Sequence, residues 1–163
     1  MKKIFTVIMV VFACLAINAQ EVHGYSNAIA KKLDSVGFGV IERGYSTDVT
    51  GKISAKLGEN DKYYPKSDVY GVMLATPKYY DLEQSQIAIE NVLNQYSDVR
   101  LVVLWQTTPH IFSAFPSAKH TYAVYQCDDT VIFIGIVNVA ETYNSYSTDY
   151  CTVVVYEYIV GEE

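Results

Sequence analysis

The amino-acid sequence predicts an α+β fold, a mixed sheet of about five strands with two to three helices packed on it. The strongest observation is Thr130–Ala140, which is apolar on both alternating faces, as in a middle strand of a sheet that is covered on both sides. The neighbouring segments Thr121–Cys127 and Cys151–Val160 have the same β-strand composition. Together the three predict an antiparallel meander, and a strand–helix–strand pattern precedes it.

That strand–helix–strand pattern predicts a βαβ unit. Val69–Thr76 and Val99–Thr107 are apolar strands separated by a helical stretch that ends near Ser97. The helix begins with Asp81 followed three residues later by Gln84, the spacing of a capping box. Because a helix connects the two strands, we expect them to be parallel neighbours with a right-handed crossover.

The N-terminal part of the mature chain supplies the other predicted elements. Apolar residues recur at steps of three and four along Val22–Val36, which predicts an amphipathic helix. Phe38–Glu42 is a candidate short strand, and Thr47–Leu57 has the apolar spacing of a further helix. No linker, repeat or low-complexity tract divides the chain, so we expect residues 20–163 to form a single α+β domain.

The start of the chain predicts a signal peptide. Two lysines precede an apolar run, and Ala19 is the small residue expected before a cleavage site. We therefore expect residues 1–19 to be removed and the mature chain to be exported, either to the periplasm or into the medium. The alternative is a lipoprotein signal with Cys14 as the acylated residue, although Phe12 fits that pattern badly.

Charge and hydropathy exclude several classes of partner. The formal net charge is −6, and it becomes −8 when the two signal-peptide lysines are removed. Such an acidic chain lacks the basic surface that binds nucleic acid or anionic lipid. No second apolar run is long enough for a transmembrane segment in the mature chain. The remaining partner classes are a protein or a glycan at the cell envelope.

The two cysteines of the mature chain are predicted to be free thiols. Export favours a disulfide between Cys127 and Cys151, and this stays an alternative. In a meander, however, the two cysteines lie at opposite ends of the central strand, farther apart than the roughly 7 Å that a disulfide spans. A catalytic pair of Cys127 with His120 is disfavoured because the two residues point to opposite faces of one strand.

The sequence predicts no cofactor, no metal and no catalytic residue. The histidines and cysteines lack the spacing of a zinc site, and the acidic loop around Asp61 lacks the pattern of a calcium-binding EF-hand. There is also no glycine-rich phosphate loop and no nucleophile elbow. Metal-dependent and nucleotide-dependent functions therefore have no support in the sequence.

Tyrosine is the unusual component, with 15 residues of 163. Several tyrosines fall in predicted loops among serine, threonine and asparagine, a composition typical of adaptable contact surfaces. The alternative is that tyrosine favours β-strands and sheet rims. The leading hypothesis is a small exported, non-catalytic binding or interaction protein with a tyrosine-rich contact surface. The alternatives are a hydrolase of envelope or extracellular polymers and a lipid-anchored structural subunit of an envelope assembly.

A ligand-binding site is predicted beyond the carboxyl ends of the two βαβ strands. In open sheets ligands favour the crevice at this edge, where helix N-termini also offer free backbone donors. The loops after these strands contain two aromatic rings, a carboxylate, a hydroxyl and an imidazole. The candidate residues are Tyr79, Tyr80, Asp81, Thr108 and His110. The simpler alternative is that Asp81 only caps its helix and that the tyrosines cover the sheet rim.

Overall fold

The computed structural model describes residues 24–46, 61–66, 68–108, 119–138 and 151–160 of the chain. Over these residues the fold is α+β, with a six-stranded antiparallel sheet and two α-helices. The predicted α+β class is therefore confirmed, but the sheet is antiparallel rather than mixed, and it has one strand more than the five expected. The predicted signal peptide and the predicted helix Thr47–Leu57 lie outside the described residues. None of the described helices is long and apolar enough to cross a membrane.

The elements in chain order are α1 (Gly24–Ser35), β1 (Gly39–Ser46), a 3₁₀ turn (Asp61–Tyr63), β2 (Val69–Ala75), α2 (Leu82–Leu93), β3 (Arg100–Thr108), β4 (Lys119–Cys127), β5 (Thr130–Asn138) and β6 (Thr152–Ile159). The order of strands across the sheet is β1-β2-β6-β5-β4-β3. Each pair of neighbours is antiparallel. The predicted meander is confirmed, because β4, β5 and β6 are consecutive neighbours and β5 lies inside the sheet.

The predicted βαβ unit with neighbouring parallel strands is wrong. Strands β2 and β3 do run in the same direction, but β6, β5 and β4 lie between them. At a spacing of about 4.8 Å per strand, their axes are about 19 Å apart. The physical reason is that the apolar pair β5 and β6 takes the centre of the sheet. A connecting helix fixes the direction of the strand that follows, but not the number of strands it crosses.

The central strand β5 is buried on both faces, as its sequence predicts. Its residues Ile132, Ile134 and Ile136 belong to the core cluster between the sheet and the two helices. On the opposite face Val131 and Phe133 belong to a second cluster. We call the face with the helices the helix face and the other the open face.

Helix α2 begins at the predicted capping box. The Asp81 carboxylate accepts a hydrogen bond from the backbone N–H of Gln84 at 2.8 Å, and the Gln84 side chain accepts from the N–H of Asp81 at 3.1 Å. Both bonds satisfy donors that a helix start otherwise leaves free. The helix then packs Ile89, Val92 and Leu93 on the sheet.

Helix α1 is fixed to the sheet by a buried carboxylate. Glu157 lies on β6 with 4 % of its surface exposed. Its Oε2 accepts a hydrogen bond from the backbone N–H of Ser26 at 2.7 Å, in the first turn of α1. Free N–H groups and the helix dipole both favour an anion at this position. The helix buries Ile29 and Leu33 against the same face of the sheet.

Both described cysteines are free and buried, which confirms the predicted thiols. Cys127 pairs with Thr130 at the start of β5. Cys151 precedes Thr152, which pairs with Val137 near the other end of that strand. The length of β5 therefore separates the two sulfur atoms.

Candidate ligand-binding cleft

A β-bulge in the edge strand β1 places a carboxylate on the open face. Val40 pairs with Leu74 and Glu42 pairs with Met73, so Ile41 has no partner in β2. In a regular strand, residues two apart point to the same face. Because of the extra residue, Val40 packs against the helix-face core whereas Glu42 points to the open face.

The register then places two rows of open-face residues across β1, β2 and β6. The first row is Glu42, Met73 and Val154, and the second row is Gly44, Gly71 and Tyr156. The two neighbouring glycines leave the second row without side chains at β1 and β2. The ring of Tyr156 lies over Gly71 so closely that a Cβ atom there would be 2.7 Å from the ring. The result is a concave surface beside the edge of the sheet.

This cleft has a volume of about 190 Å³. Pockets for drug-sized ligands measure roughly 300–1,000 Å³, so the cleft suits one ring or one side chain. Arg43 and Tyr45 also border it. Their side chains, however, belong to the helix face, where Arg43 Nη1 donates to Asn27 Oδ1 at 3.3 Å and the Tyr45 ring contacts the Tyr70 ring at 5.5 Å. The side chains that define the cleft are therefore those of the two rows.

The electrostatics of the cleft are set by Glu42 and Tyr156. Burial of the phenol, and secondly the negative charge of Glu42, raise the pKa of Tyr156 to about 12. The hydroxyl therefore stays neutral at physiological pH. Glu42 is exposed, and it has no hydrogen-bond or ion-pair partner among the residues that the structure describes. The cleft thus combines an anionic rim with an aromatic wall.

A second polar cluster joins α1, the loop before β3 and the end of β4. The Tyr25 hydroxyl donates a hydrogen bond to Asp98 Oδ2 and lies 3.0 Å from Cys127 Sγ, which is 3.5 Å from the same carboxylate oxygen. The hydroxyl of Tyr25 lowers the pKa of the Cys127 thiol, but burial and Asp98 outweigh it, and that pKa is raised. Because thiolate is the nucleophilic form, this raised pKa disfavours a nucleophilic role for Cys127.

Three of the predicted site residues are described with their side chains. Tyr79 is 73 % exposed at a positive φ of 70°. Tyr80 is half-buried and its ring contacts the Phe38 ring edge-on at 6.1 Å. The Asp81 carboxylate is engaged in the capping box, so its predicted capping role is confirmed.

The other half of the predicted site lies at the end of β3. Thr108 is the last residue of that strand, and its side chain and the whole of His110 lie outside the described residues. The strand ends that were expected to be neighbours are separated by three strands. The site formed by both loops therefore stays a prediction without the adjacency that motivated it.

The described loop tyrosines do not form a common surface. Tyr63 is 7 % exposed, Tyr64 and Tyr80 are half-buried, and Tyr79 is the exposed one among them. Aromatic rings gather instead on the open face of the sheet. Phe133 stacks on Tyr122 at 5.2 Å and contacts Tyr156 at 6.2 Å, so a row of rings leads across three strands to the cleft.

Sequence reasoning missed the cleft, although one signal was present. Gly71 interrupts the apolar strand Val69–Thr76, and a glycine inside a strand commonly marks a close approach of another group. The group in question is the ring of Tyr156. The position of Glu42 had no comparable signal, because the bulge at Ile41 depends on pairing with β2.

No group of three or more histidine, cysteine, aspartate or glutamate side chains that could hold a metal ion occurs within the described ranges. Comparison of the chain with protein-family models, with curated proteins and with solved structures finds no match.

Proposed function

We propose that this is a small exported, non-catalytic binding protein whose contact surface is the open-face cleft and the aromatic residues around it. The observation that supports the proposal is the cleft itself, where a glycine floor, the Tyr156 ring and the exposed Glu42 carboxylate meet in about 190 Å³. Binding sites typically combine a concave apolar surface with a few polar groups that orient the ligand. A protein or a glycan at the cell envelope is the proposed class of partner.

The chemistry of the cleft favours binding over the hydrolase alternative. Glycoside hydrolysis generally uses two carboxylates on either side of the scissile bond. Among the described residues the cleft contains one carboxylate, Glu42, and a tyrosine whose pKa is raised to about 12. Nucleophilic catalysis needs an activated nucleophile beside a base. The thiol of Cys127, which lies beside Tyr25 and Asp98, has a raised pKa instead.

A titration with ligand classes tests the proposal. The mature protein, labelled with ¹³C at methionine methyl groups, is titrated with envelope oligosaccharides and with short peptides while turnover is monitored. A ligand of the cleft should shift the Met73 signal without being converted. Gly71→Ala should weaken this ligand at least about tenfold, because the added methyl group collides with the Tyr156 ring.

The matched control is Gly39→Ala, where a Cβ atom meets nothing within 4 Å. This variant should bind like the wild type. Conversion of an oligosaccharide or peptide would support the hydrolase alternative. Failure of every ligand class to shift Met73 would contradict a binding function for the cleft.

Export is tested by the mass of the mature protein. We expect a chain that begins at Gln20, because Ala19 is the small residue before the proposed cleavage site. Intact mass spectrometry of protein expressed with its full N-terminus measures this directly. A mass that includes Met1 would contradict export, and an acylated Cys14 would support the lipid-anchored alternative.

A further inference from the structure

The cleft lies beside β1, an edge strand of the sheet as far as the structure describes it. Strand β1 is the first in the sheet order, and β2 is its partner among the described strands. From Glu42 to Ser46 its register with β2 is unbroken. The opposite edge, β3, has two register shifts within its pairing to β4. Bulges discourage the addition of further strands, so the regular half of β1 is the better template for one.

The chemistry of the cleft selects the side chain that such a strand would present. An added strand places alternate side chains on the open face, about 4.5–5.5 Å from Glu42 or Gly44. A carboxylate and the face of a tyrosine ring both attract cations. The neighbouring cation, Arg43, is directed to Asn27 on the helix face and does not occupy this position.

We propose that β1 receives an extended segment of a partner protein and that one lysine or arginine of this segment enters the cleft between Glu42 and Tyr156. This inference rests on the proposed binding function. The volume of about 190 Å³ suits a single side chain. The formal net charge of −6 favours the approach of a basic partner.

A peptide strand explains the site better than a free amine. One exposed ion pair contributes little affinity by itself. Pairing along the β1 backbone adds hydrogen bonds over several residues, as in other cases of strand addition. The edge also offers exposed apolar side chains, with Ile41 55 % and Tyr45 63 % exposed. The cation would therefore supply selectivity, and the strand would supply most of the affinity.

The test uses seven-residue peptides with blocked ends, in which threonine and valine alternate around a central lysine. Companion peptides have glutamine or glutamate at the centre, and acetyl-lysine amide represents the free cation. Isothermal titration and the Met73 signal report binding to the mature protein. We expect the lysine peptide to bind about three- to tenfold more tightly than the glutamine peptide, and the glutamate peptide to bind most weakly.

Two adjacent substitutions separate the cleft from general charge. Glu42→Gln should abolish the preference for lysine over glutamine. Because Glu42 is exposed, the melting temperature of this variant should stay close to that of the wild type, which excludes a loss of folding. Arg43→Gln removes one charge from the next residue but on the helix face. This control should leave the preference unchanged.

The outcomes distinguish this inference from the proposed function. Equal affinity of the wild type for the lysine and glutamine peptides would overturn the cation site. A Met73 shift by acetyl-lysine amide as strong as that by the peptide would overturn strand addition. If the peptides fail and an oligosaccharide shifts Met73, this inference is wrong and the binding function stands. If both classes fail, both proposals are wrong.

Discussion

At the scale of single residues, the cluster of Tyr25, Asp98 and Cys127 shows how one carboxylate organises two donors. The Tyr25 hydroxyl has one proton, and the charged oxygen of Asp98 is a stronger acceptor than a sulfur atom. The hydrogen bond from Tyr25, and secondly the Asp98 backbone N–H, lower the pKa of that carboxyl. The Asp98 hydrogen bond is also the main reason why the pKa of Tyr25 is raised.

The reactivity of Cys127 should change in opposite directions in two variants. Asp98→Asn removes the negative charge and replaces the carboxylate by a weaker, neutral acceptor, so the thiol pKa should fall and alkylation at pH 8 should become faster. Tyr25→Phe removes the hydroxyl that lowers this pKa, so alkylation should become slower. Mass spectrometry of timed samples measures both, with Cys151 in the same chain as the internal reference. Equal rates in all three proteins would contradict the assignment.

The stability contributed by Asp98 should depend on pH. Because the pKa of Asp98 is lower in the folded protein, the unfolded chain takes up the proton first as the pH falls. The contribution is therefore complete above the ordinary carboxyl pKa of about 4, and it is lost as the pH falls through the lower folded value. The difference in melting temperature between the wild type and Tyr25→Phe should be constant from pH 7 to 5 and should shrink toward pH 2. A difference that persists unchanged in acid would exclude this origin.

Residue-level chemistry was predictable from sequence where it depends on near neighbours. The capping box of Asp81 and Gln84 needs residues three apart, and it forms as expected. The free state of the cysteines followed from the register of consecutive strands. The cleft was not predictable, because the contact of Tyr156 with Gly71 joins residues 85 positions apart in the chain.

At the scale of elements, α1 depends on Glu157 as its partner on the sheet. Loss of this carboxylate removes the 2.7 Å hydrogen bond from the buried N–H of Ser26 and opens a small cavity under the helix. Tertiary partners of this kind can decide whether a helix of 12 residues forms, because isolated helices of that length are marginal.

Glu157→Ala should lower the free energy of unfolding by about 2–4 kcal/mol, as expected for the loss of a buried hydrogen bond together with a cavity. Glu157→Gln retains an oxygen acceptor. Its loss in free energy of unfolding should therefore be smaller than that of Glu157→Ala by at least about 1 kcal/mol. Urea denaturation followed by circular dichroism measures both. Equal losses in the two variants would show that the hydrogen bond to Ser26 contributes nothing beyond packing.

At the scale of the whole molecule, the sheet is stabilised from its centre outward. Strands β5 and β6 have partners on both sides and are largely buried on both faces, whereas β1 and β3 have one partner each among the described strands. Regions with fewer buried contacts open locally at a lower free energy than global unfolding requires.

Native-state hydrogen exchange should therefore be slowest in β5 and β6 and faster in β1 and β3. The middle amides of β5, near Ile134, should exchange only through global unfolding. Mass spectrometry with pepsin fragments, or amide NMR, resolves the strands. Protection of β1 equal to that of β5 would mean that something covers its edge and would argue against strand addition there.

The order of the sheet is the part of the fold that local patterns could not supply. Alternation and capping identify strands and helices, and they place β4, β5 and β6 as consecutive neighbours. The connection through α2 joins β2 to a strand four positions away, and nothing within Val69–Thr107 encodes that distance. The C-terminal strand β6 decides it by pairing with β2, a contact that depends on the complete core.

The bulge at Ile41 has a consequence for how this chain tolerates insertions and deletions. The alternation of side chains between the two faces of β1 shifts by one residue at Ile41, because Ile41 has no partner in β2. Deleting Ile41 would leave Glu42 opposite Met73, so the cleft would keep its negative charge. A slip by one residue between β1 and β2 would instead turn Arg43 into the cleft and reverse its charge. The charge of the cleft is thus determined by the number of residues along the edge strand as much as by their identity.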